Sequence, residues 1–260
     1  MIVKDRVTKA FQMRAVLKGM VVKKFKAKYS GAMFGFWWAV AIPLILAFSI
    51  DIIFTHVFEV KIPNFTLFVL SGIIPWLFFS NTINEVTTSF TADSAILRQS
   101  IFPREFVPAS CVFANSLIFI IGMILLLPFF FIANPQMIKT LPFLMLIFLL
   151  HLFFLLGLGM IFSTLNAFSD DLMHFLSVGL MLWFWVTPIF YSPQMLKFPY
   201  RWVCLLNPLT YYVMLYRQVL YEGNIPSLQL IFISFLVSTV FFIGGYGFFI
   251  KRESALFKKL

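Results

Sequence analysis

Six long apolar runs, almost free of charge, limit what this chain can become: Phe34 to Phe58, Leu67 to Phe90, Phe106 to Ala133, Leu141 to Phe168, Leu172 to Tyr191 and Leu228 to Ile250. Each reaches the roughly 20 residues that a helix needs to cross a bilayer. None alternates apolar with polar residues as the strand of a membrane barrel would. Only 12% of the chain is charged, against about 25% in soluble domains, so a water-soluble globule is excluded. The expected fold is an all-α membrane protein with six transmembrane helices. In 260 residues these leave room for tails and connections but for no separate catalytic domain.

Charge placement orients the runs. The net charge is +10, and Met1 to Lys28 alone holds nine basic residues and one acid. With six crossings both termini share a side. Counting Lys and Arg over tails and connections puts fifteen on that side and five on the other, the five being Lys61, Lys139, Lys197, Arg201 and Arg217. The bias makes both termini cytoplasmic. Within the tail, Val3, Val7, Ala10, Phe11, Leu17, Val21 and Phe25 recur at mostly three-to-four-residue spacing, which predicts an amphipathic helix lying in the interface over residues 1–31. Helices one to five then occupy 34–191, the sixth 228–250, and 251–260 forms a cytoplasmic tail.

The stretch 192–227 is long for an outer loop, yet too apolar for solvent: it contains Trp202 to Leu206 and then Leu209 to Tyr221. It is expected to dip back towards the membrane. Pro199, Pro208 and Pro226 punctuate it, so two short helices separated near Asn207-Pro208 are expected rather than one long one.

Catalytic constellations are missing from the sequence. There is no His-Glu-x-x-His, Gly-x-Ser-x-Gly, Walker Gly-x-x-x-x-Gly-Lys or Cys-x-x-Cys, and Cys111 and Cys204 have no metal-ligand spacing. The chain is therefore read as a non-enzyme that binds no cofactor or metal, and any ATP-driven work would need another polypeptide to bind ATP and Mg. Ionisable groups inside the runs are functional candidates, since charge in lipid is costly: Asp51, His56, Glu85 and His151. Aromatics are abundant: Phe36, Trp37 and Trp38 on the first run, Phe78 and Phe79 on the second, Trp183, Trp185 and Tyr191 on the fifth. Two readings stay open for them, interface belts and a path lining on which the C–H faces of sugar rings would slide. Basic residues at the cytoplasmic side, Lys24, Lys26, Lys28 and Arg98, would attract anionic lipid heads; topology control explains the same charges.

Ordered local matches then give a family resemblance. They are Tyr29 with Gly35-Phe36-Trp37-Trp38-Ala39 and Pro43; Leu70-Ser71-Gly72-Ile73-Ile74-Pro75-Trp76-Leu77-Phe78-Phe79-Ser80; Phe102-Pro103-Arg104-Glu105 with Pro108; Leu165-Asn166-Ala167-Phe168 with Asp171; Thr187-Pro188-Ile189-Phe190-Tyr191; and Leu206-Asn207-Pro208-Leu209. Together they resemble the membrane subunit of type-2 ABC exporters for cell-surface polysaccharides such as O-antigen, teichoic acid and capsule. The resemblance implies a homodimer bound to two copies of a cytosolic ATP-binding cassette subunit in the bacterial inner membrane, with an undecaprenyl-linked glycan passing between the protomers and no nucleic acid involved. By this likeness Asp93, Arg98, Arg104, Glu105, Asp170 and Asp171 would meet the ATPase, and Trp202, Asn207, Pro208 and Tyr211 would belong to outer gate helices. A drug or lipid exporter of the same superfamily is the alternative.

Overall fold

The computed structural model describes residues 8–9, 11–29, 35–94, 97, 102–169 and 171–259. Among them there is no strand, and the α-helices of seven residues or more are α1 (Arg14–Tyr29), α2 (Trp38–His56), α3 (Phe65–Thr87), α4 (Phe106–Ala133), α5 (Leu141–Phe168), α6 (Leu172–Val186), α7 (Tyr200–Leu206), α8 (Pro208–Arg217) and α9 (Leu228–Lys259). Five of these, α2, α3, α4, α5 and α9, are long and apolar enough to cross a membrane. The chain is a multi-pass, all-α membrane protein.

The fifth apolar run behaves differently from the others. Its helix stops at Val186, after 15 residues, about 22 Å at 1.5 Å per residue and short of a roughly 30 Å hydrocarbon core. Pro188 lies two residues beyond it and lacks the N–H that a continuing helix would donate. The last run differs in the other direction. Its helix continues to Lys259 rather than yielding to a tail at 251, because Lys251 to Lys259 contains no Gly or Pro and Leu256 is buried.

The centre of the bundle is α3, with 17 of its 23 residues buried. Around it stand α4, α5, α8 and α2. Helices α5 and α9 touch almost backbone to backbone, which glycine alone permits. A Cβ at Gly157 would fall 2.1 Å from the Phe241 carbonyl oxygen, and one at Gly245 would fall 2.0 Å from that of Gly157. Small residues do this work between membrane helices, where hydrophobic burial no longer drives association. By contrast α2 buries only Val40, Pro43 and Ala47, and α6 only Leu176 and Leu180. Both turn apolar faces outwards.

The bundle has two distinct ends. At the basic end Phe90, Leu97, Val107, Met160, Ala167, Phe249 and Leu256 form a separate apolar cluster that Met20 of α1 joins, so α1, the α3–α4 connection and the last turns of α9 share one end. At the far end Tyr221 donates from its hydroxyl to the Pro63 carbonyl at 2.5 Å, Asn134 donates to the Tyr221 carbonyl and Thr140 to that of Val219. From this far end α7 and α8 turn back inwards. The Tyr212 ring of α8 lies 4.9 Å from that of His151, and its hydroxyl is 2.7 Å from that of Ser238, on α9.

Candidate translocation path and coupling end

At the basic end two lysines one helical turn apart fasten α1 to the bundle. Lys24 Nζ donates to Asp93 Oδ2 at 2.6 Å. Burial works against the Lys24 ammonium, but the neighbouring Cys111 sulfur and Asp93 carboxylate outweigh it, so its pKa stands above the ordinary 10.5. Lys28 Nζ reaches Glu85 Oε2 at 2.5 Å and Asn115 Oδ1 at 2.7 Å. The Asn115 amide in turn donates to Glu85 Oε2 at 2.6 Å and to the Cys111 carbonyl at 2.9 Å. Sequence offered Lys24 and Lys28 to lipid head groups; each already holds a carboxylate of its own chain, and Lys26 stands exposed beside them. The partner that makes Glu85 tolerable at this depth is therefore Lys28.

Of the residues that the resemblance turned towards an ATPase, Asp93 is thus engaged with α1. Arg104 lies 3.7 Å from Glu253 on α9, Glu105 is buried where α4 begins, and Asp171 is exposed just before α6. Arg98 and Asp170 lie outside the described residues.

The candidate path aromatics divide into two groups. Trp37, Trp38 and Trp185 are 56%, 43% and 57% exposed, whereas Phe78 and Phe79 are 4% and 0% exposed. Phe78 stacks on Phe119 with centroids 4.5 Å apart, and Phe79 lies between Phe154 and Trp183. The side chain of Phe36 lies outside the described residues. The three tryptophans face outwards, whereas the two buried phenylalanines pack the bundle itself. Clefts flank α2, two of them roomy. One of about 320 Å³ lies between α2, α3 and α6 and is lined by Trp76, Ser80, Asn84, Phe184 and Trp185 among others. The other, about 560 Å³, includes Lys28, Trp38, Asn81, Asn84 and Asn115. Asn84 lines both.

At the far end α8 is tied to the end of α6. Asn207 caps α8 by accepting from the Leu209 N–H at 2.9 Å, with Pro208 at the first helical position, where its missing N–H costs nothing. The same carboxamide accepts from Trp183 Nε1 at 2.7 Å and donates to Thr187 Oγ1 at 2.9 Å. Tyr191 donates from its hydroxyl to the Trp185 and Val186 carbonyls, and Tyr211 to that of Leu205 at 2.7 Å. Trp202 on α7 is 62% exposed.

The residue that the sequence reading missed is Arg217. Counted there as one of five far-side loop charges, it is 4% exposed. Its Nη2 donates to the Pro188 and Ile189 carbonyls, both at 2.8 Å, and Nη1 to that of Tyr191 at 3.2 Å. Its guanidinium lies 3.7 Å from the centroid of the Phe68 ring, a cation–π contact. Gly72 leaves the space, since a Cβ there would sit 3.2 Å from Arg217 Nη2. The available signal was one cation isolated in the apolar stretch Leu209 to Tyr221.

The geometry is that of a helical membrane bundle with a basic, ion-paired end and two short helices folded back into it at the far end. The chain belongs to the ABC-2 type transporter family, whose profile matches residues 15–221. An O-antigen export system permease protein RfbA of Klebsiella pneumoniae is 32% identical over 232 residues, 89% of each chain. A protein of the same name from Myxococcus xanthus is 27% identical over 249 residues, 95% of this chain and 96% of its own. The polysialic acid transport protein KpsM of Escherichia coli is 22% identical over 249 residues, 94% and 95% of the two chains.

Proposed function

We propose that this protein is the membrane permease of an ATP-driven exporter of cell-surface polysaccharide, working as a homodimer in the bacterial inner membrane with two copies of a separate ATP-binding cassette subunit. The observation that carries this reading is the 32% identity over 89% of both chains to an O-antigen export permease, because likeness across nearly the full length includes the path as well as the frame. The transported molecule is an O-antigen-like glycan on a polyprenyl carrier such as undecaprenyl pyrophosphate.

In this reading the basic end is cytoplasmic, in accord with the Lys and Arg excess, and α6 with its non-helical extension to Tyr191 makes the sixth crossing. ATP binding and hydrolysis in the partner subunit push on the connection around Asp93, Arg104 and Glu105 and on the loop at Asp171. Lys24 and Lys28 carry that push into α1 and α3. The glycan passes between protomers along Trp37, Trp38 and Trp185, whose exposure supports a lining role. Trp202, Asn207, Pro208 and Tyr211 belong to the outer gate.

Deleting the gene in its native host tests this. The expected outcome is loss of surface polysaccharide with lipid-linked glycan accumulating inside the cell. Unchanged amounts in both places, in a host with no second exporter, would shift the assignment to a drug or lipid exporter of the same family.

A further inference from the structure

The far end poses an energetic question. Arg217 is buried in the bundle, and among the described residues no carboxylate makes an ion pair with it, Glu222 acting on it only from a distance. A guanidinium taken out of water without a close counter-ion is costly, and satisfying one carbonyl would not need one. Its five donors in a fixed fork suit several acceptors at once; here Nη1 and Nη2 reach three carbonyls of one short segment, Pro188, Ile189 and Tyr191, while Nε has no partner among the described residues.

Those carbonyls belong to the non-helical tail of α6. Non-helical backbone at membrane depth persists only where something satisfies it. Helix α6 itself is weakly seated, with Phe175, Val178, Met181, Leu182 and Trp185 between 57% and 75% exposed. Helix α8 is the opposite: Tyr212, Val213, Leu215 and Tyr216 are all at 1% exposure or less. The two are riveted at both ends of α8, by Asn207 to Trp183 and Thr187 at its start and by Arg217 to 188–191 at its finish. A loose path-side helix is thus held in register by a firmly anchored re-entrant one.

We infer that Arg217 is a positioning residue for transport, the latch that sets where the outer end of α6 stands and so keeps the path between protomers closed at rest. The inference rests on the permease reading above. Charge-assisted bonds are about twice as strong as neutral ones, so removing them from the closed arrangement alone moves a closed–open balance by at least about tenfold. Opening needs the fork to let go of 188–191 or to carry that segment with it.

The test uses the dimer with its ATPase, reconstituted in vesicles loaded with a small fluorescent anion. Wild-type vesicles must first move lipid-linked glycan with ATP; if they do not, the permease reading fails and the latch with it. Given that, Arg217→Met is expected to raise ATP-independent dye leak at least about tenfold, and Arg217→Lys, which keeps the charge but not the fork, to fall between. A merely structural role would lower yield or thermal stability without opening a leak, so a folded Arg217→Met complex as tight as wild type overturns the inference. Should Arg217→Met fail to fold, hydrogen exchange on the wild-type complex decides. Exchange at residues 189–191 is expected to rise when the ATPase is trapped with vanadate, and no change there overturns the latch equally.

Discussion

The two ends of this bundle solve the same problem with different chemistry. Each must fasten a loosely seated segment to the core: α1 at the basic end, the tail of α6 at the far end. The basic end uses ion pairs between partly exposed partners, Lys24 with Asp93 and Lys28 with Glu85, whose side chains are 16% to 29% exposed. The far end uses one buried cation, with no carboxylate in ion-pair contact among the described residues, directed at backbone carbonyls, and a carboxamide with three bonds. Partly exposed pairs are modest in strength, yield to salt and can exchange partners. Buried directed bonds are strong, insensitive to salt and hold one geometry. An end that must respond to a moving partner suits the first, and an end that must stay shut suits the second.

Mutations sharpen that contrast. Asn207→Leu should have the largest effect on stability, because it removes the α8 cap and leaves the Trp183 N–H without its acceptor; a loss of about 2–3 kcal/mol is expected, equal in low and high salt by thermal unfolding in detergent. A strongly salt-dependent loss would break the distinction. Lys28→Met should cost about 1 kcal/mol in low salt, and the gap to wild type should narrow near 1 M salt, where the screening length falls to about 3 Å. If the gap persists, the basic end is as desolvated as the far one. The smallest stability effect belongs to Arg104→Glu, within about 0.5 kcal/mol, since Arg104 and Glu253 stand 3.7 Å apart. Its expected consequence is functional: export falls while the complex stays folded, which surface-glycan staining against protein level will read.

Much of the frame was legible in the sequence. Five of the six apolar runs became long helices because length and lack of charge leave a membrane segment few choices. The break at Asn207-Pro208 was legible because a capping residue followed by proline is a local signal. The early end of α6 was less visible: Thr187-Pro188 was there, but the apolar run continues to Tyr191 and hydropathy does not register a missing N–H. The partners of Arg217 were not legible. Arg217 reads as a loop charge by count, and only the fold brings it under Phe68 and Gly72 and onto the carbonyls of 188–191. The pairing of Lys28 with Glu85 likewise joins residues 57 positions apart, beyond any local pattern. Trp183 illustrates the same limit, since its indole N–H serves Asn207 as well as any path.

The measurement that tests the account most directly is transport by the purified complex. Inside-out vesicles holding the dimer, its ATPase and a lipid-linked O-antigen-like glycan are given ATP, and glycan protected within the lumen is measured. The account predicts ATP-dependent accumulation that stops when the ATPase is inactivated and drops with Arg104→Glu. Steady ATP hydrolysis with no glycan entering the lumen would contradict it.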